Sequence, residues 1–218
     1  LIEEQRMSYT EQAEAILHEW VQGEQLRKHC YAVAASMRYL AAQRGGDADL
    51  WGAVGLLHDM DYERYPNMPE RSPALRDIAL GVIDGSVAAP EQHPFVGVAR
   101  LRELGWSSEV LRAIFAHADY TGIEPESDLE KTLVAVDELS SFVIAVALVK
   151  PTKSVFDVDA TSVRKKMKDK AFARAVNRED IVHGAERLGV DLEVLISDVI
   201  TALRADAARL GVAGIAAN

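Results

Sequence analysis

Apolar residues recur at three- and four-residue spacing along almost the whole chain, and the two-residue alternation of half-buried strands is scarce. Alanine, the strongest helix former, is abundant. Thr10, with Glu14 just past capping-box spacing, is expected to open a helix carrying Ile16, Leu17, Trp20 and Val21 and broken at Gly23. A second helix carries Leu26, Val33, Met37 and Leu40 and stops at Gly45-Gly46. Asp49 is expected to cap a short apolar helix from Leu50 to about His58. Pro66, Pro69, Pro73 and Pro90 punctuate residues 60–92, which predicts a loop with one short helix, Ala74 to Ile83. Pro94 suits the first position of a helix running to Gly105, and Ser107 or Ser108 the cap of the next, through His117. A loop spans Gly122 to Ser127. Leu129 to Val149 then reads as a long helix, apolar almost all round in its second half and therefore central, ended by Pro151. Shorter helices follow at about 161–174, 178–188 and 191–210, and an Ala-rich stretch after Leu210 is expected to fray. The whole predicts an all-α protein. It would comprise a tail over residues 1–12, a helical core over 13–149, a C-terminal helical extension over 150–212 packed on that core, and a frayed tail over 213–218.

Composition narrows the class. The 218 residues, 49% hydrophobic and 27% charged, suffice for a sizeable core. A net charge of −10 argues against long nucleic acid as a partner, because polyanions need a basic surface. One stretch departs from this balance: residues 150–178 hold nine Lys/Arg against three Asp/Glu. Cys30 is the single cysteine, which excludes an internal disulfide and a Cys-rich zinc site and suggests a reducing compartment. The longest apolar run, Phe142 to Val149, is far short of the roughly 20 residues of a membrane span. Leu1 to Arg6 has neither a basic start nor an apolar stretch, so no secretory signal is expected; Met7 is a candidate natural start, and a cytoplasmic location is expected. Oligomeric state, monomer or homodimer, stays open.

Candidate chemistry lies in the histidines and aspartates. His58-Asp59 ends the apolar segment Trp51 to Leu57, where a charged carboxylate is costly unless paired or metal-bound. His29 shares a helix face with Leu26 and Val33. Asp137 lies inside an apolar helix, near the face of Leu133 and Ile144, with no Arg or Lys one turn away. His117 follows Val110, Leu111 and Ile114 at inward spacing, and His93 precedes Pro94 at the start of a helix. Any one of these alone reads most simply as a hydrogen-bonded core residue; together they put His and Asp inward from several helices. Nitrogen and oxygen donors without thiolate suit Fe, Mn, Co, Ni, Zn or Mg, and bundles commonly build metal sites from facing side chains. Asp61 and Glu63, just after the pair, either orient a ligand or water or are solvated loop acids. Lys150 and Lys153, with Lys165, Lys166 and Lys168, either gather a substrate phosphate or form a solvated face. His18 and His183 read as surface residues, Cys30 as a small core residue, and Trp20, Trp51 and Trp106 as packing residues.

The order His29, His58-Asp59, His93, His117, Asp137 resembles the H…HD…H…H…D signature of the dinuclear subset of HD-domain metal-dependent phosphohydrolases. The segments Gly55 to Glu63, His93 to Gly97 and Val136 to Phe142 are similar to those of small bacterial HDIG-type hydrolases, as are Lys150 to Lys153 and Ser162 to Lys166. Met60-Asp61 stands where the name of that group would place Ile-Gly. The resemblance covers roughly residues 24–205 and implies an HD-domain helical bundle with a C-terminal helical extension. It implies two divalent ions (Fe, Mn, Co, Ni or Mg), the first on His29, His58, Asp59 and Asp137 and the second on His93 and His117, with Asp59 bridging. His58, Asp59 and Asp61 would be the catalytic residues, and Lys150 and Lys153 the substrate-binding ones. The implied reaction is hydrolysis of a phosphate ester of a small metabolite or nucleotide by a metal-bridging hydroxide. The same ligand set also resembles mixed-valent di-iron oxygenases of the superfamily, and a non-catalytic metal-stabilised binding or signalling module is the third possibility.

Overall fold

A computed structural model describes residues 7–215, and among them there are eleven α-helices and no strand. The expectations for residues 1–6 and 216–218 lie outside the described residues. No helix among the described residues is long and apolar enough to cross a membrane.

Local chemistry sets the helix starts, not always at the expected residue. α1 (Tyr9–Trp20) opens on a capping box of Ser8 and Glu11, each side chain bonding the other's backbone N–H, in place of Thr10 and Glu14. The backbone N–H groups of Tyr9 and Thr10 donate to the Asp49 carboxylate at 2.7 and 3.0 Å, so the expected tail to residue 12 ends at the start of α1. Asp49 is thereby spent on α1. The cap of α3 (Ala48–Leu57) is Asp47, which accepts from the N–H groups of Asp49 and Leu50.

α2 (Glu24–Arg44) packs along α3 and α7 (Asp128–Leu148), and these three helices frame the centre. The α2–α3 crossing is close enough to require glycine: a Cβ on Gly55 would stand 2.6 Å from Ala34 Cα. α7 opens on a second capping box, Ser127 with Glu130, and buries Leu133, Val136, Leu139, Phe142 and Val143. An irregular stretch leads to α4 (Pro73–Asp84), then α5 (Phe95–Glu103) and α6 (Ser108–His117). Pro94 caps α5 from outside rather than starting it. Phe95 and Phe115 lock α5 to α6, with ring centroids 5.1 Å apart.

The C-terminal part packs back on this frame. α8 (Ala160–Met167) is shorter than the expected 161–174, because the chain leaves helical geometry after Lys168. The Arg178 guanidinium holds the following loop by donating to the carbonyls of Asp169, Phe172, Ala173 and Val176. α9 (Arg178–Leu188) lies on α7, and α10 (Leu192–Ala205) on α2, α7 and α8. α11 (Ala207–Leu210) follows. The stretch after Leu210 is tied down rather than frayed through its described part. Val155 N–H donates to Val212 O at 2.8 Å and Ile215 N–H to Thr152 O at 2.9 Å, around a bridge between Ser154 and Ala213.

Candidate metal centre

Four helices and one loop deliver the six candidate donors to one place. His29 comes from α2, His58 from the C-terminal cap of α3 with Asp59 in the turn beyond, His117 from the last position of α6, and Asp137 from mid-α7. His93 comes from the loop ahead of α5. The donors divide into two triads, His29–His58–Asp137 and Asp59–His93–His117, with the donor atoms of each triad all within 4.8 Å of one another.

The carboxylate of Asp59 stands between the triads. Its Oδ2 lies 3.4 Å from His29 Nε2 and 3.6 Å from His58 Nε2, while its Oδ1 lies 3.3 Å from His93 Nε2 and 3.5 Å from His117 Nε2. Asp137 Oδ1 lies 3.1 and 3.5 Å from His29 and His58 Nε2. Ligands about 2.1 Å from one ion stand about 3.0–3.4 Å from each other, so the spacing fits.

The second nitrogen of each ring fixes which face it offers. His58 Nδ1 donates to Gly55 O at 2.9 Å, and His117 Nδ1 donates to Ile114 O. Carbonyls only accept, so these rings carry their proton on Nδ1 and present a bare Nε2 inward. Asp61 accepts from His93 Nδ1 through Oδ1 and from Gly97 N–H through Oδ2, both at 2.7 Å. His29 Nδ1 lies 2.8 Å from Ser141 Oγ. His29 Nε2 and His58 Nε2 are then only 3.0 Å apart, so either a proton on His29 Nε2 or a metal ion must stand between two nitrogen lone pairs that would otherwise repel.

The electrostatics match. Burial alone would lower His29, but hydrogen bonds and charge from Asp137 and Asp59 raise it to about 10. Burial opposes ionisation of Asp59 and Asp137 as well, yet the surrounding imidazoles hold both below the usual carboxylate range. Without a metal the pocket therefore retains a proton; a metal would take the same position. The donor set, His nitrogen and carboxylate oxygen with no thiolate, fits a divalent transition metal or Mg.

The remaining expectations divide. Asp61 is fully buried but does not face the triads; it orients His93. Glu63 orients no ligand: its carboxylate accepts from the N–H groups of Gln22 and Gly23, where α2 begins. Lys150 and Lys153 do not line the cleft above the triads, nor do Lys165, Lys166 and Lys168. Asp137 stands about 17 Å along α7 from Leu148, after which Lys150 and Lys153 follow, so these lysines sit at the far end of the helix. His18 and His183 are exposed as expected, though His183 lines the cleft. Cys30 is fully buried, and burial pushes its thiol up.

Several residues escaped the sequence reading. Tyr120 lines the cleft and donates its hydroxyl to His93 O at 3.0 Å; burial and the charges of Asp59 and Asp61 push its phenol up, so that proton is kept. Tyr62 sets its ring edge against His93. Burial and the adjacent Asp137 raise Glu138, at the cleft wall, to about 7. The Tyr120 bond to a ligand's own carbonyl leaves no sequence signal, since any aromatic spacing would serve equally.

His29, Asp59, His93, His117 and Asp137 line a cleft of about 910 Å³, and His58 is buried behind them. An all-helical chain whose buried and half-buried His and Asp donors converge beside a cleft is compatible with a metal site built from helices. The HD domain family model matches residues 26–142, a stretch that contains all six candidate donors, and the chain belongs to the HD domain family. Members of this family are generally metal-dependent phosphohydrolases. No curated protein and no solved structure matches the chain.

Proposed function

We propose that the protein is a metal-dependent phosphohydrolase acting on a phosphate ester of a small metabolite or nucleotide, and that His29, His58, Asp59, His93, His117 and Asp137 hold two divalent ions. The observation that carries this reading is the placement of Asp59, whose two oxygens face different triads. Ions held there supply Lewis acidity toward a phosphoryl oxygen and toward water.

The chain's own residues do the positioning. Asp59 joins the triads, and His58, through its bond to Gly55 O, keeps its Nε2 free. Asp61 and Tyr120 fix His93 from its ring and its carbonyl. A cavity of about 910 Å³ is of the size that binds small molecules. Long nucleic acid fits poorly, because Asp119, Glu124, Glu138 and Asp180 all line the cleft in a protein of net charge −10. In this reading residues 13–149 carry the metals and residues 150–212 complete the cleft wall.

The test is turnover of a panel of phosphomonoesters by metal-loaded, chelated and re-loaded protein. Turnover that disappears with chelation, returns with one divalent metal and is absent from Asp59→Ala supports the reading. Turnover unaffected by chelation, or none on the panel with metal bound, overturns it.

A further inference from the structure

α9 lies beyond the matched residues 26–142, yet it forms one wall of the cleft. Asp180, His183, Gly184 and Arg187 follow the i, i+3, i+4, i+7 pattern of one helix face, and all four line the cavity. Ile181, Ala185 and Leu188 are buried on the other side. The helix approaches α7 closely at Gly184, where a Cβ would stand 2.7 Å from Ala135 Cα. It runs antiparallel to α7: the Asn177 N–H reaches Glu138, Gly184 touches Ala135, and Arg187 reaches Glu124 ahead of α7.

Arg71 meets the same carboxylate from the loop before α4. Its guanidinium lies 3.9 Å from Glu124 Oε1, and that of Arg187 lies 3.5 Å from Glu124 Oε2. Arg71 also stands 3.9 Å from Asp119. Among the described residues, these are the cleft's only Lys or Arg side chains. Arg71 and Arg187 are 63% and 48% exposed, and pairs this long and this wet contribute little. Each guanidinium keeps most of its planar donors free, the arrangement suited to an oxyanion.

We propose that Arg71 and Arg187 form the recognition site for a second, distal phosphate of the substrate, with Glu124 holding the two guanidiniums until that phosphate displaces it. The inference rests on the phosphohydrolase reading, in which the reacting phosphate occupies the metal floor. Two arginine forks offer more donors than a carboxylate can accept, whereas a phosphate presents three oxygens and nearly twice the charge. The substrate class is then an elongated phosphate ester that carries a phosphate at each end.

Calorimetry on the metal-loaded protein tests this with alkylphosphonates, α,ω-alkane bisphosphonates and ω-carboxyalkylphosphonates of matched chain length. At the spanning length the bisphosphonate should bind roughly tenfold tighter than the monophosphonate, a difference of one charge-assisted contact. Arg71→Met and Arg187→Met should each shrink that ratio, and the double variant should erase it. Lys153→Met, outside the cleft, should preserve it. Equal affinities at every length, or a ratio retained in the double variant, would overturn the inference. An equal gain from the terminal carboxylate would overturn the assignment of the distal group as phosphate. If the metal-loaded protein bound neither phosphonate, the phosphohydrolase reading itself would fall, and this inference with it.

Discussion

The two triads share the Asp59 carboxylate but are built by different means. His29, His58 and Asp137 stand on or at the ends of α2, α3 and α7, helices drawn together by direct packing at Gly55 and Ala34. His93 comes from a loop and His117 from the last position of α6, and a chain of hydrogen bonds through Asp61, Gly97 and Tyr120 holds the loop histidine. One triad is positioned by backbone packing and the other largely by polar contacts. The second should therefore bind its ion less tightly, and single polar substitutions should disturb it more.

Asp59→Ala gives the largest expected effect, because it removes a donor from both triads. Metal analysis should show both ions lost, and activity should fall by more than the roughly 10–100-fold typical of losing an outer-shell partner. His117→Ala should separate the triads, with the second ion lost and the first retained, visible as about half the metal content of the parent protein. If His117→Ala released both ions, the division into a packed and a hydrogen-bonded triad would be wrong.

Asp61→Asn sharpens the comparison further. It exchanges a carboxylate acceptor for an amide behind His93, and should weaken the second ion by roughly 10–100-fold while leaving the first unchanged. Competition with a chelator reads each affinity separately. Gly55→Ala probes the packed triad, since its methyl would meet the Ala34 backbone. It should destabilise the fold by about 1–3 kcal/mol, measured by urea unfolding, and loosen the first ion before the second.

The last prediction concerns protons. His29 in the metal-free protein is raised from an ordinary 6.5 to about 10. A group raised on folding contributes stability that is fully present below its unfolded value and is lost as pH rises through its folded one. Metal-free protein should thus lose stability from about pH 6.5 towards pH 10, and the metal-loaded protein should lack that component. Urea midpoints across this range, with and without metal, measure the difference. A flat profile for the metal-free protein would contradict the charge assignment at the first triad.

Most of the candidate donors are legible in the sequence because they stand within or at the end of an apolar helical pattern, where an ionisable side chain is conspicuous. His29 beside Leu26 and Val33, and Asp137 near Leu133, stand out for that reason. His93, in a polar loop, stands out only through its place in the H…HD…H…H…D order. Helix boundaries were readable where Gly or Pro punctuates, as at Gly45 and Pro151, and slipped where two acids compete for one role, as with Asp47 and Asp49. Glu63 has the right chemistry beside the HD pair but is diverted to backbone N–H groups at the start of α2, a partnership between distant segments that no local pattern encodes. Lys150 and Lys153 failed as cleft residues because charge type says nothing about which end of α7 faces the cleft. His183 reads as a surface residue, and Asp180 and Arg187 beside it carry no signal, because a cleft-lining face repeats at the same spacing as a solvated one.

Metal content per chain tests the central claim most directly. Elemental analysis of protein prepared without a histidine tag and loaded with divalent metal should give about two equivalents for the parent chain and none for Asp59→Ala. A parent chain that takes up no metal, or an Asp59→Ala chain that retains both equivalents, would contradict a centre built on a carboxylate shared by two triads.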